Sequence, residues 1–277
     1  MFSDVLLTVD FDRTLTAPDS TIPERNLEAI RYFIANGGTF TLNTGRSVNT
    51  MGALLHSLPV NAPFLLYNGS ADYENGQLHN CAEIPLPLWQ TLAEVHAHCP
   101  ELNLEIQGPQ IHYLYDPKES FREFYNTLGW KWAEALPGMD VGPFMKFAIF
   151  GAVHHNAVSD MFTGTPQELA RFDEIEKWLK DTYGDKISVF RAAPRIIDVH
   201  APGVSKAVAA RRLQKQLGKK HLVCVGDAEN DLTMLLDADF AYVPADAILS
   251  GQFENVCKCA DGAVADVIYK KISEIVK

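Results

Sequence analysis

The chain has 277 residues, enough for one large or two ordinary domains. Its 47% hydrophobic and 21% charged residues support a full core and argue against disorder. A net charge of −11 argues against nucleic acid and anionic membranes as main partners, but a small anionic substrate can still be met by local donors and a metal. No stretch approaches the roughly 20 apolar residues of a membrane helix. The N-terminus has no basic region followed by a long apolar run, so a cytoplasmic protein is expected.

The first stretch, Val5-Leu6-Leu7-Thr8-Val9-Asp10-Phe11-Asp12-Arg13-Thr14, reads as a short buried strand ending in two aspartates. Beyond the carboxyl end of a strand both carboxylates can turn toward one point, which is where open α/β sheets hold ligands. Two close carboxylates repel and need a cation, a shared proton or a hydrogen-bonded cradle. A plain D-x-D turn is the alternative. Residues 21–36 follow with Leu27, Ile30 and Ile34 at helical spacing, Pro23 at the start and Gly37-Gly38 as a stop. A second strand is predicted over 39–43, a helix over 47–57, and a third strand over 64–67 closed by Asn68-Gly69. This is the opening of a doubly wound parallel sheet. A hairpin is expected around Asn75-Gly76.

The texture then changes. Helices are predicted over 86–98, 120–128 and 166–183, with strands over 102–115 (broken at Gly108-Pro109), 145–150 and 187–190. This mixture argues for an α+β module inserted at 83–190, leaving 1–82 and 191–277 as a Rossmann-like core. An extended segment over 195–199, a helix over 205–217, strands over 221–225 and 240–243, a helix over 229–238 and a C-terminal helix over 263–276 complete the core.

Five scattered cysteines, Cys81, Cys99, Cys224, Cys257 and Cys259, fit reduced thiols. Cys257-Lys258-Cys259 has no second pair at zinc spacing. His96, His98 and the pair His154-His155 lack complete ligand sets and read as surface or interface histidines.

Four elements fall at the ends of predicted core strands or at helix starts: Asp10/Asp12, Thr44-Gly45-Arg46, Lys206, and Gly226-Asp227-Ala228-Glu229-Asn230-Asp231. One reaction uses this set. A carboxylate attacks a phosphoryl group and carries it as an aspartyl-phosphate. Asp10 and Asp227 are candidates to hold one Mg²⁺, a hard ion that prefers oxygen. The Thr44 hydroxyl, the Gly45 N–H and the Lys206 ammonium would hold the phosphate oxygens. Asp12 would protonate the leaving oxygen and later take a proton from water. Taken singly, Thr44-Gly45 and Gly226-Asp227 are also readable as turns and Lys206 as a solvated lysine. Their joint order favours the catalytic reading.

These four elements resemble the four motifs of the haloacid dehalogenase (HAD) superfamily of phosphatases. Thr-Gly-Arg after the second strand, Asn68-Gly69, Gly203-Val204-Ser205-Lys206 and Asp261-Gly262-Ala263-Val264 narrow the resemblance to the Cof-like, type IIB-capped branch. The resemblance implies a Rossmann-like core with a mobile cap, Mg²⁺, and hydrolysis of a small phosphomonoester; a monomer or homodimer is expected. It implies Asp10 as nucleophile and Asp12 as general acid/base. The metal would be held by the Asp10 carboxylate, the Asp12 backbone carbonyl and Asp227, with Asn230 and Asp231 supporting the phosphate and the metal's waters. Where family members often carry a small, Gly-containing segment, this chain has Tyr242-Val243-Pro244-Ala245.

The cap should decide the substrate, with sugar phosphates leading. His112, Tyr113, Tyr115, Arg122 and Lys146 are polar enough to meet a sugar, and Arg46 either contacts substrate or ties core to cap. Trp130 and Trp132 read as core rather than carbohydrate platforms. The alternatives are a phosphosugar mutase resembling phosphomannomutase, a phospho-aspartate signalling domain, and, weakest, a sugar-binding protein.

Overall fold

The computed structural model describes residues 1–153 and 163–275, so His154-His155 and Val276 lie outside the described residues. In chain order it contains β1 (Val5–Val9), α1 (Glu24–Ala35), β2 (Thr39–Leu42), α2 (Val48–Met51), α3 (Leu54–Ser57), β3 (Phe64–Leu66), β4 (Ala71–Glu74) and β5 (Gln77–His79). Next come α4 (Leu88–His98), β6 (Asn103–Gln107), β7 (His112–Tyr115), α5 (Glu119–Leu128), β8 (Trp132–Glu134), β9 (Lys146–Phe150), α6 (Pro166–Tyr183), β10 (Ser188–Ala193) and β11 (Ile196–His200). The remainder is α7 (Lys206–Gln216), β12 (His221–Val225), α8 (Leu232–Asp237), β13 (Phe240–Pro244), β14 (Glu254–Val256) and a helical segment over 263–275. No helix among the described residues is long and apolar enough to cross a membrane.

Contacts divide the chain into two compact units. One holds Met1–Gly45, Ala53–His79 and the chain from Ser205 onward; the other holds Arg46–Gly52 and Asn80–Val204. The first is built on a parallel sheet in the order β14-β13-β12-β1-β2. β1 is buried along its whole length, as its unbroken apolar and β-branched run requires. From β1 the chain builds β2 on one side and later β12, β13 and β14 on the other. The carboxyl ends of β1 and β12 therefore flank the point where the winding reverses, the ligand crevice of open α/β sheets. Tyr242-Val243-Pro244 forms the carboxyl end of β13, in register with β14.

Two local departures from the sequence reading have plain causes. The helix expected over 47–57 is split into α2 and α3 by Gly52, whose φ of 51° and ψ of −127° break a right-handed helix. The expected third core strand, β3, pairs antiparallel with β4 in a separate three-stranded sheet and meets the parallel sheet at the single bridge Asn43–Leu65.

The second unit is a six-stranded sheet in the order β10-β11-β9-β6-β7-β8, antiparallel except for β7 with β8. One face buries Leu104, Ile106, Phe147, Ile149 and Val199 against Leu92 and Val95 of α4 and Phe172, Ile175 and Leu179 of α6. The helix α6 starts where expected, with Pro166 in its first turn and a reciprocal Thr165–Glu168 cap. The other face packs Leu114, Ala148 and Phe150 under Phe121, Phe124 and Tyr125 of α5. Trp130 and Trp132 pack on this cluster, Trp132 within an edge strand rather than the helical segment expected.

The insert was expected over 83–190, but this unit runs from Asn80 to Val204. The reason is β11, which reads as an extended core segment yet pairs with β9 through Ile197↔Ile149 and with β10 through Val199↔Val189. An extended pattern does not say which sheet it joins, because pairing partners are distant in sequence.

Gly69 sets how closely the turn after β3 approaches the start of α7. Its φ is +93°, and a Cβ there would lie 2.6 Å from the Ser205 carbonyl oxygen. Gly69→Ala is expected to cost about 2–4 kcal/mol, from left-handed strain plus overpacking. Urea unfolding of the full chain measures it.

Candidate active site

The register of the parallel sheet places the chemistry. Val9 pairs with Val225 on one side and Leu42 on the other, so Asp10, Gly226 and Asn43 emerge side by side. The Asp10 N–H donates to Val225 O at 2.9 Å and the Asn43 N–H to Val9 O at 2.9 Å, extending both ladders by one residue. After Asp10 the chain makes a wide turn closed by Thr16 N–H to Phe11 O at 3.0 Å, with Arg13 at a φ of 59°. A left-handed non-glycine residue costs about 1–2 kcal/mol, strain of the kind that gathers at functional sites.

Lys206, the first residue of α7, is almost wholly buried. Its Nζ donates to Asp10 Oδ1 and to Asp231 Oδ1, both at 2.6 Å. The solvated-lysine alternative is thereby excluded. Asp231 Oδ2 accepts the backbone N–H groups of Asp227 at 3.0 Å and Ala228 at 3.2 Å. Asp227 accepts from Thr14 Oγ1 at 3.4 Å, and Arg13 Nε lies 3.9 Å from its Oδ2. Among the described residues, Asp10, Asp227 and Asp231 form a group whose carboxylate oxygens all lie within 4.8 Å of one another.

One ammonium thus faces three buried carboxylates. Burial is the largest influence on Asp10 and holds it well above the usual carboxylate range; Lys206 opposes this, and Asp231, Asp227 and Asp12 reinforce it. Asp227 is pushed up to about 7 by burial and by Asp231, against the pull of Lys206, Arg13 and Thr14. Burial works against the Lys206 charge, but Asp10 and Asp231 more than offset it, so the lysine stays protonated well above its ordinary value.

Thr44 is held from both sides. Its N–H donates to Leu65 O and its carbonyl accepts the Asn68 N–H, each at 2.9 Å. Gly45 follows because a Cβ there would sit 2.9 Å from Asn68 Oδ1. Gly226 is equally constrained, since a Cβ would lie 2.5 Å from Asp231 Cβ and Cγ. Asn230 reaches Asn68 with its amide at 3.5 Å.

Asp10, Asp227, Asp231 and Lys206 therefore come together as one cluster. Asp12 stands two residues from Asp10, half-buried, outside the group of three carboxylates. Arg46 belongs to the second unit and donates to Thr50 O at 3.3 Å. Both oxygens of Asp231 are taken by Lys206 and backbone donors, so its visible work is to position that lysine and the Asp227 loop.

The sequence reading did not single out Asn43, whose amide donates to the Lys206 carbonyl at 2.8 Å and joins β2 to the start of α7. Its signal is an amide directly after the buried strand Thr39–Leu42. Asn68 and Thr14 were noted only as parts of motifs.

The molecule is thus an α/β protein with an aspartate–lysine cluster at the carboxyl edge of its parallel sheet and a second α+β unit. A family profile for haloacid dehalogenase-like hydrolases matches residues 7–250, and the chain belongs to that family. It is an enzyme, a phosphatase of the HAD type. It is 24% identical over 256 residues to the HMP-PP phosphatase of Klebsiella pneumoniae (strain 342), covering 88% of this chain and 85% of that one. It is 22% identical over 244 residues to the 5-amino-6-(5-phospho-D-ribitylamino)uracil phosphatase YcsE of Bacillus subtilis (strain 168), covering 87% and 84%. In fold it resembles a haloacid dehalogenase-like hydrolase from Bacteroides thetaiotaomicron, with a TM-score of 0.76 at 20% identity over 95% of this chain and 97% of that one. It likewise resembles the HAD subclass IIB sugar phosphatase BT4131, with a TM-score of 0.74 at 17% identity over the same shares.

The raised Asp227 has a consequence for stability. A carboxyl whose folded pKa exceeds its unfolded value of 3.8 binds its proton more tightly in the folded state. In chelator, unfolding free energy is expected to fall as pH rises from about 4 to about 7, and Asp227→Asn should flatten that slope. Denaturant titrations across this window measure both.

Proposed function

We propose that this enzyme is a Mg²⁺-dependent phosphomonoester hydrolase acting on small phosphorylated metabolites, sugar phosphates foremost, through an aspartyl-phosphate on Asp10. The observation that carries the reading is Lys206, buried with its ammonium shared between Asp10 and Asp231 at 2.6 Å beside Asp227. A nucleophilic carboxylate next to a fixed cation at the crevice of a parallel sheet suits phosphoryl transfer, where positioning and charge compensation supply most of the catalysis.

The residues fit a hard divalent ion. The donors are carboxylate oxygens, and one lysine leaves their charge incompletely balanced. Asp10 and Asp227 would hold the ion directly, with the Asp12 backbone carbonyl as the family resemblance implies, and Asp231 would act through Lys206 and the Asp227 loop. When bound, Mg²⁺ supplies positive charge that lets an anionic nucleophile approach an anionic phosphoryl group.

Asp10 attacks phosphorus while the bond to the leaving oxygen breaks, and Asp12 gives that oxygen its proton. The Thr44 hydroxyl, the Gly45 N–H and the Lys206 ammonium hold the remaining oxygens. Asp12 then takes a proton from water, the water oxygen attacks phosphorus, and Asp10 is freed as inorganic phosphate leaves. Asn230 and Arg46 support phosphate and substrate. The inserted unit reads the leaving group. The substrates for which the relatives are named, HMP-PP, a ribitylaminouracil phosphate and a sugar phosphate, support small phosphorylated metabolites as the class.

Phosphate release from sugar phosphates and an aryl phosphate should vanish in chelator and return with Mg²⁺. Asp10→Asn should lower it at least about a thousandfold with folding intact. Asp12→Asn should lower it about 10²–10⁴-fold. Sustained release by Asp10→Asn would overturn the mechanism.

A further inference from the structure

The segment Arg46–Gly52 begins directly after Gly45, and the chain on both sides of it belongs to the first unit, yet it clusters with the second. Its short helix α2 is capped by Ser47, whose Oγ accepts the Thr50 N–H at 3.1 Å. The same oxygen lies 2.7 Å from Nε2 of His112 on β7. Nδ1 of His112 lies 3.1 Å from the Tyr125 hydroxyl and 3.4 Å from Glu105 Oε2. Ser47, Glu105, His112 and Tyr125 are all wholly buried. A second fastening stands beside the first: the Asn49 amide donates to Lys131 O at 2.9 Å and its Oδ1 accepts the Lys131 N–H at 3.3 Å.

A neutral imidazole has one donor and one acceptor nitrogen, so His112 can serve both sides at once: with Nδ1–H turned toward Tyr125 or Glu105, Nε2 accepts the Ser47 hydroxyl proton. Breaking the Ser47–His112 link leaves the buried Nε2 of His112 without its partner, while Ser47 Oγ keeps Thr50, so the link is costly to lose on the histidine side. Thr44 is held by Leu65 and Asn68 on its own side, as described above. His112 holds the chain at Ser47, two residues beyond Gly45. His112 was among the residues polar enough to meet a sugar; its burial and both its bonds point elsewhere.

We propose that His112 is a positioning residue for phosphate binding: through Ser47 it fixes the first residues after Gly45 and so the direction of the Gly45 N–H. The proposal rests on the reading of Thr44-Gly45 as the phosphate turn.

The test compares Ser47→Ala, His112→Asn, His112→Gln and the Ser47→Ala/His112→Asn double variant in the full chain with Mg²⁺. Inorganic phosphate binding is followed by calorimetry, KM and kcat with an aryl phosphate, and Tm for each. Ser47→Ala and His112→Asn should weaken phosphate binding and raise KM about five- to tenfold, with kcat moved less. The double variant should be no worse than the worse single one, because both remove the same link. His112→Gln extends an amide to the position of Nε2 and should recover most phosphate affinity, although it loses the same imidazole packing and the same Tm as His112→Asn. Unchanged phosphate affinity in Ser47→Ala and His112→Asn overturns the proposal. So does an equal loss of affinity in His112→Asn and His112→Gln, which marks His112 as packing alone. A wild type that binds phosphate without turnover sinks the phosphatase reading and leaves the binding comparison intact. A wild type that does neither overturns both.

Discussion

The first unit depends on a buried ammonium. Lys206 sits where solvent cannot stabilise its charge, and a lone buried ion of this kind would neutralise or unfold the site. Two carboxylates at 2.6 Å keep it charged. Those carboxylates come from the end of β1 and from the loop after β12, and the lysine from the first turn of α7. The three elements must meet within hydrogen-bond distance, so the ion cluster and the parallel pairing of β1 with β12 support each other. The same burial raises Asp10 and Asp227.

The loops around the cluster are fixed by asparagines and by the absence of side chains. The Asn43 side-chain amide binds the Lys206 carbonyl and ties a strand end to a helix start, and the Asn68 backbone N–H holds the Thr44 carbonyl. Gly45, Gly69 and Gly226 each stand where a Cβ would strike Asn68, Ser205 or Asp231. Asn26 does similar work on the far loop, donating to Leu15 O and accepting from Ala265 N–H, both at 2.9 Å. The Asp261-Gly262-Ala263-Val264 motif is structural in this sense: Arg25 bonds the Asp261 carbonyl at 2.9 Å beside it.

The second unit separates its apolar and polar work by sheet face. α4 and α6 cover one face with an aliphatic and aromatic core. The other carries α5 and polar residues buried in pairs, Lys146 with Asp198 at 2.7 Å and His112 with Ser47. Buried polar networks of this sort demand full satisfaction and so favour one arrangement over its competitors. Of the other residues considered for sugar contact, Arg122 is paired with Glu119 and Glu134, and Tyr113 and Tyr115 pack against the core.

Local chemistry is what the sequence by itself determined. Buried strands ending in aspartate, helices with caps and stops, and the order of the four motifs all depend on neighbours within a few residues, so the parallel core, the residues of the aspartate–lysine cluster and the presence of an α+β unit were legible. Pairing was not. That β11 joins the inserted sheet, that β3 leaves the parallel one, and that Arg46–Gly52 packs with the second unit are choices among distant partners. Asn43 escaped notice and His112 was read toward a sugar for the same reason: their partners, Lys206 and Ser47, stand 163 and 65 residues away. The division of labour among the aspartates also needed tertiary structure. Only the distances show Asp231 spending both oxygens on Lys206 and backbone donors, because a carboxylate's role is set by which donors the fold brings to it.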